Sequence, residues 1–120
     1  LAIGDDVERL REFVKPHLAL YFGGMGAKGK NFYHALATSY GYGAEADRIQ
    51  ELYLAGDKEA AAKVVPDDLV RDVSLIGSAG FVKERIAAFR EAGVTTLNVV
   101  PIAATPAERV KLIEQLRNLV

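Results

Sequence analysis

The stretch that most constrains this chain runs from Ser74 to Pro101, SLIGSAGFVKERIAAFREAGVTTLNVVP, because it holds the two best strand signals and the helix between them. Ser74-Leu75-Ile76 is a short apolar run closed by Gly77-Ser78. Phe81, Val82, Arg85, Ile86 and Phe89 then recur at helical spacing, and Gly93 stands where a left-handed residue ends a helix. Val94 to Val100 is rich in β-branched residues and is stopped by Pro101, which predicts a second strand. Two parallel strands cannot be joined by a tight turn, so a helix between them reads as the crossover of a β-α-β unit. Such a pair has two open edges, whereas parallel sheets are normally wider and covered on both faces. The expected fold class is therefore α/β, predominantly helical, with two or three short parallel strands that want neighbours.

The rest of the chain supplies helices. Leu1-Ala2-Ile3-Gly4 resembles the end of a strand, so the chain is expected to start inside an element. Asp5 or Asp6 can cap a helix through Val7, Leu10, Phe13-Val14 and Leu18, which Pro16 either kinks or replaces with a second helix. Leu18 to Phe22 is too short for periodicity to separate helix from buried strand. Asn31 is an N-cap candidate for Phe32 to Tyr40, with Phe32, Leu36 and Tyr40 as the apolar face. Short helices are expected around Ala46 to Tyr53, after Asp57, and after Pro66, where Leu69, Val70 and Val73 turn inward. Thr105-Pro106-Ala107-Glu108 spells a capping box for a last helix with Val110, Ile113, Leu116 and Val120 on its apolar face. The organisation expected is a single portion, helical over 1–72 and β-α-β-α over 73–120.

Glycines at 23, 24, 26 and 29 make a turn-prone loop, and within it GMGAKGKN departs from the phosphate-cradling G-x-x-x-x-G-K-[ST] pattern only at Asn31. A carboxamide substitutes poorly for the magnesium-binding hydroxyl, and no apolar strand ends in the aspartate that would hold the metal. Nucleotide hydrolysis is therefore not expected. A milder reading remains: glycines let a ligand approach the backbone, and Lys28 and Lys30 offer positive charge to an anionic cofactor tail or substrate. The competing one is a solvated surface loop. His34 lies beside a cluster of tyrosines and could line a pocket, or simply pack. Gly77-Ser78, between strand and helix, could hold a phosphate, and an N-cap explains the serine equally well.

Other chemistries are excluded by what the residues are. A net charge of −1 gives no basic surplus for nucleic acid, and cysteine is absent, which fits a cytoplasmic location. No apolar run approaches the roughly 20 residues of a membrane span. His17 and His34 have no partner at metal spacing, and no serine sits in a nucleophile elbow.

IGSAGFVKERIAAFREAGVTTLNV resembles the terminal strand-helix-strand segment of the luciferase-like monooxygenase family of (β/α)8 barrels. VKPHLALYFGGMGAKGKNFYHALATSYGY is similar to the branch of that family that uses a deazaflavin coenzyme. The resemblance implies the C-terminal fragment of a TIM-type (β/α)8 barrel. It implies part of an oxidoreductase, working by hydride transfer or monooxygenation with coenzyme F-420 or FMN on a small-molecule substrate. The residues it leaves as candidates for cofactor or substrate binding are Gly24, Gly26, Lys28, Lys30, His34, Gly77 and Ser78. No catalytic residue and no metal ligand is assigned. The partner it implies is an N-terminal barrel segment, without which the chain is expected to be inactive; open strand edges also predict a homo-oligomer. The alternative is a small α-rich module that self-associates without catalysis.

Overall fold

The computed structural model describes residues 1–120 and divides into two compact units, Leu1–Leu10 with Ser74–Val120, and Arg11–Val73. In the first unit, β1 (Ala2–Ile3) pairs in parallel with β2 (Ile76–Gly77), Ala2 opposite Ile76 and Ile3 opposite Gly77. The amides of Ala2 and Gly4 donate to the carbonyls of Leu75 (2.9 Å) and Gly77 (3.0 Å). Successive residues of a strand aim their backbone groups at opposite edges, so Leu1 faces the other way. Its nitrogen donates to the Val100 carbonyl at 2.8 Å, and its carbonyl accepts from the Ile102 amide at 2.8 Å.

This corrects the expected β-α-β unit. The strand stub at Leu1–Ile3, and not the Val94–Val100 segment, is the neighbour of β2, and no regular strand forms over Val94–Val100. The reason is partnership: a strand satisfies its amides only through neighbours, and the one exchange on offer reaches Val100 and Ile102 but nothing earlier. Val94, Leu97 and Val100 are accordingly exposed, Val100 to 78%. Pro101 costs this exchange nothing, because its missing N–H falls between the two bonds.

The helix expected after Ser78 does form, although it leads to no second strand. In α7 (Ala79–Glu91) the Ser78 hydroxyl accepts from the Phe81 amide, and Gly93 ends it at φ +88°, with the Val94 amide returning to the Phe89 carbonyl at 2.9 Å. Thr105 and Glu108 make the reciprocal capping box of α8 (Pro106–Leu119). Leu1, Leu75 and Val82 are the buried centre of the unit, against which α7 lays Phe81, Ile86 and Phe89 and α8 lays Leu112, Ile113, Leu116 and Leu119. Val110 and Val120 are exposed, so the buried face of α8 is rotated from the one expected.

The second unit is helical. It contains the end of α1 (Val7–Glu12), α2 (Lys15–Ala19), a π turn (Leu20–Gly24), α3 (Phe32–Ser39), α4 (Gly43–Leu54), α5 (Lys58–Lys63) and α6 (Asp67–Val73). Pro16 occupies the first turn of α2, where its missing N–H costs nothing, and Leu18 to Phe22 continues as helix. α4 packs against the π turn, α3 and α5, and α2 packs against α5. Ile49, Val65, Leu69 and Val70 are the largest side chains fully removed from water here. Asp57 caps α5 by accepting from the Ala60 amide at 3.0 Å. In α6, Leu69 and Val70 are buried, while Val73 is exposed instead of facing inward.

Lys15 fastens α2 to α6, donating to Glu12 at 2.6 Å and to Asp67 at 2.9 Å. Partial burial works against the Lys15 charge, yet the two carboxylates together hold its pKa above the ordinary 10.5. The bond from Lys15 holds the Asp67 carboxyl below the ordinary 3.8.

Candidate functional site

The glycine-rich loop is fixed at both ends by one side chain. Asn31 is 5% exposed and makes four hydrogen bonds. Its Oδ1 accepts from the amides of Tyr33 (2.9 Å) and His34 (3.2 Å), which caps α3. Its Nδ2 donates to the carbonyls of Tyr21 (2.9 Å) and Phe22 (3.0 Å), which belong to the π turn. Wider helical turns leave carbonyls whose usual donors have moved on, and here a carboxamide replaces them. That saturated side chain also sets the rotation of α3. Asn31, His34 and Ala37 lie inward at helical spacing, so Phe32 (70% exposed) and Tyr40 point out, against the apolar face expected for this helix.

The glycines before the loop have a packing role. A Cβ on Gly23 would stand 2.6 Å from Tyr53 Cβ and 3.1 Å from the Ile49 carbonyl, and one on Gly24 would overlap the Tyr53 ring. Gly26 allows the loop to fold back on the Lys30 carbonyl and the Asn31 backbone, and the Lys30 amide donates to the Ala27 carbonyl at 2.9 Å. Lys28 and Lys30 project into solvent from that turn, neither paired with an acid. Four rings run from α2 to α3: His17 to Tyr21 at 4.7 Å between centroids, Tyr21 to Tyr33 at 4.7 Å, and Tyr33 to Phe32 at 5.5 Å.

His34 donates through Nε2 to Asp47 at 2.9 Å, across from α3 to α4. No group of three His, Asp or Glu side chains gathers to hold a metal. Gly24, Gly26, Lys28, Lys30 and His34 thus share one loop and the helix turn after it. Gly77 and Ser78 belong to the other unit, where a Cβ on Gly77 would stand 2.8 Å from Phe81 and the Ser78 hydroxyl is engaged as a cap. An open depression on α8, lined by Glu114, Arg117 and Asn118, includes neither of them.

The resemblance to a nucleotide-phosphate loop fails on geometry as well as on residue type. In such loops the first helical amides point at the anion. Here the amides of Tyr33 and His34 are already taken by Asn31. Three partners were not legible from spacing: Tyr53, Asp47 and the donor half of Asn31. A Gly23-Gly24 pair is itself a signal that something large lies close, but it does not say what.

An anionic cofactor tail fits the loop in one respect: two unpaired ammonium groups stand on a turn that includes Gly29, at φ +77° with open space around it. The flat ring of a flavin or deazaflavin needs an enclosing pocket, and nothing in the loop encloses one.

The luciferase-like monooxygenase family model matches residues 1–96, which include the loop, β2 and α7. A protein of Mycobacterium tuberculosis (strain ATCC 25618 / H37Rv) named "Putative coenzyme F420-dependent oxidoreductase" is 36% identical over 111 residues, 92% of this chain and 31% of that protein. The chain therefore spans about a third of that relative's length. No solved structure matches it. No helix is long and apolar enough to cross a membrane.

Proposed function

The chain belongs to the luciferase-like monooxygenase family, and from that premise we propose that it is the C-terminal part of a deazaflavin-dependent oxidoreductase, with FMN as the alternative cofactor. The observation that carries this reading is the 36% identity to the mycobacterial relative, sustained over 92% of the chain. Bound in the whole enzyme, either cofactor supplies hydride or electron chemistry. This chain's residues have a binding role. Lys28 and Lys30 take the anionic group of cofactor or substrate by charge-assisted hydrogen bonds, on a turn whose ends Asn31 holds still. Gly24 and Gly26 keep the backbone close, and His34, oriented by Asp47, lies on the adjoining helix turn. Gly77 and Ser78 are a second candidate anion contact, at the start of α7.

The proposal includes an N-terminal barrel segment as partner, a small-molecule substrate, a homo-oligomer and a cytoplasmic setting. The exposure of Val94, Leu97 and Val100 supports the need for a neighbouring strand. The whole enzyme is tested by titrating deazaflavin coenzyme and FMN and following absorbance. One of them should bind and turn over, and replacing Lys28 and Lys30 with Ala should weaken binding of the phosphate-bearing ligand about a hundredfold or more, as expected for two charge-assisted contacts of about 1.5–3 kcal/mol each. The isolated chain should show no cofactor-dependent turnover. Turnover by it alone, or full-length protein that binds neither cofactor, sinks the proposal.

A further inference from the structure

In a π ladder an amide reaches the carbonyl five residues back, and in an α ladder the carbonyl four back. At the end of the π turn (Leu20–Gly24), the α-type donors for the Tyr21 and Phe22 carbonyls are therefore the amides of Met25 and Gly26. The structure gives both carbonyls to Asn31 Nδ2 instead, at 2.9 and 3.0 Å, and the Gly26 amide donates to no backbone carbonyl. Two features bring the α ladder within reach. Asn31 holds the turn through Nδ2 and caps α3 through Oδ1, so releasing the carbonyls leaves the cap in place. Gly23 and Gly24, packed against Tyr53, carry no side chain past that residue as the turn rewinds. Rewinding hands the two carbonyls to backbone amides and strands only the Asn31 nitrogen, on a side chain that is buried. The two ladders thus differ by one buried donor.

We propose that Leu20–Gly24 is a two-state turn, π while Asn31 holds the Tyr21 and Phe22 carbonyls and α when it releases them, with the Asn31 carboxamide as the latch. In the α state Met25 and Gly26 join the helix. Gly26 then leaves the Lys30 carbonyl and the Asn31 backbone on which it now packs, and the turn closed by the Lys30 amide on the Ala27 carbonyl is re-aimed together with Lys28 and Lys30. The latch sets where that turn points, whether or not the turn binds an anion. Anything that shifts the turn does so by favouring one ladder over the other.

The experiment measures amide relaxation dispersion and hydrogen exchange by NMR on the purified protein, for the parent and for Asn31→Asp. The aspartate keeps an acceptor for the first amides of α3 and sets a second oxygen, in place of the donor, against the two carbonyls. In the parent, the amides of Met25, Gly26, Lys28 and Lys30 should share one microsecond-to-millisecond process with a minor state of about 1–10%, in which the amides of α4 take no part. In Asn31→Asp the Gly26 amide should exchange about tenfold more slowly or better, because it has entered the ladder, while the Tyr33 and His34 amides keep their protection. An unchanged Gly26 amide beside an intact cap overturns the proposal. So does faster exchange along the whole of Leu20–Gly24, which makes Asn31 a brace for a loose turn and not a latch between two ladders. If the aspartate variant does not fold, the parent decides alone: no shared process among the four loop amides overturns the proposal as well.

Discussion

In the Arg11–Val73 unit, side chains of the same unit meet backbone groups left over by α3, α5 and the π turn: Asn31 serves two amides and two carbonyls, and Asp57 caps α5, while α2 and α4 start without a side-chain cap. In the unit of Leu1–Leu10 and Ser74–Val120, α7 and α8 are both capped, yet the strand-forming stretch Val94–Val100 gains one exchange at its very end. The contrast follows from where each element finds its hydrogen bonds. A helix closes its ladder within itself, and one capping residue finishes it. A strand closes nothing alone, so β-branched sequence without a neighbour stays an exposed, extended chain.

The largest expected break in this comparison comes from Asn31→Ala. It removes a cap worth about 1 kcal/mol and leaves two carbonyls short of a donor at about 1–3 kcal/mol, so urea unfolding should show a loss of about 3 kcal/mol. Asn31→Asp keeps the cap and loses the donor, and should fall between. If Asn31→Ala loses less than about 1 kcal/mol, water replaces the carboxamide and the unit is not self-satisfied.

Gly23→Ala should follow, at about 2 kcal/mol, because the new methyl meets Tyr53 Cβ and the Ile49 carbonyl. Adding Tyr53→Ala should not restore it, since that Cβ remains; the same addition should restore Gly24→Ala, whose clash is with the ring. Thermal melts of the four variants decide between these outcomes.

The Lys15–Asp67 link is smaller, about 1 kcal/mol or less, because Asp67 is half exposed and solvent screens it. Its sign is fixed by the shifts. With the Asp67 pKa lowered, its contribution is present above the ordinary 3.8 and is lost as pH falls through the lower folded value. With the Lys15 pKa raised, the contribution is present below 10.5 and lost as pH rises through the higher folded value. Asp67→Asn should flatten the acid limb of a stability–pH curve, and an unchanged limb would remove the link.

Leu97→Asn sharpens the other side of the comparison. In an unpaired, exposed segment it should change stability by no more than about 0.5 kcal/mol in chemical denaturation. A loss of about 2 kcal/mol would mean that Leu97 is covered in solution.

Features that chain neighbours determine were legible in the sequence. The caps at Asn31, Asp57 and Thr105, the proline start of α2, the left-handed Gly93 and the strand character of Leu1–Ile3 all rest on residues a few positions apart. The misplaced faces of α3 and α8 and the missing strand at Val94–Val100 depend on what packs opposite, which periodicity does not encode. The candidate loop was visible through its glycines and lysines, while His34–Asp47, thirteen positions apart, and Gly24 against Tyr53 required the fold.

The π turn at Leu20–Gly24 gives this loop an unusual tolerance of length. Such a turn is an α-helical turn with one residue added, so a one-residue deletion there would return an ordinary helical ladder and leave the segments on either side near their present phase. What such a deletion removes is the opening itself: carbonyls that Asn31 now serves at Tyr21 and Phe22 would find donors within the helix, and the Asn31 Nδ2 would be left without acceptors.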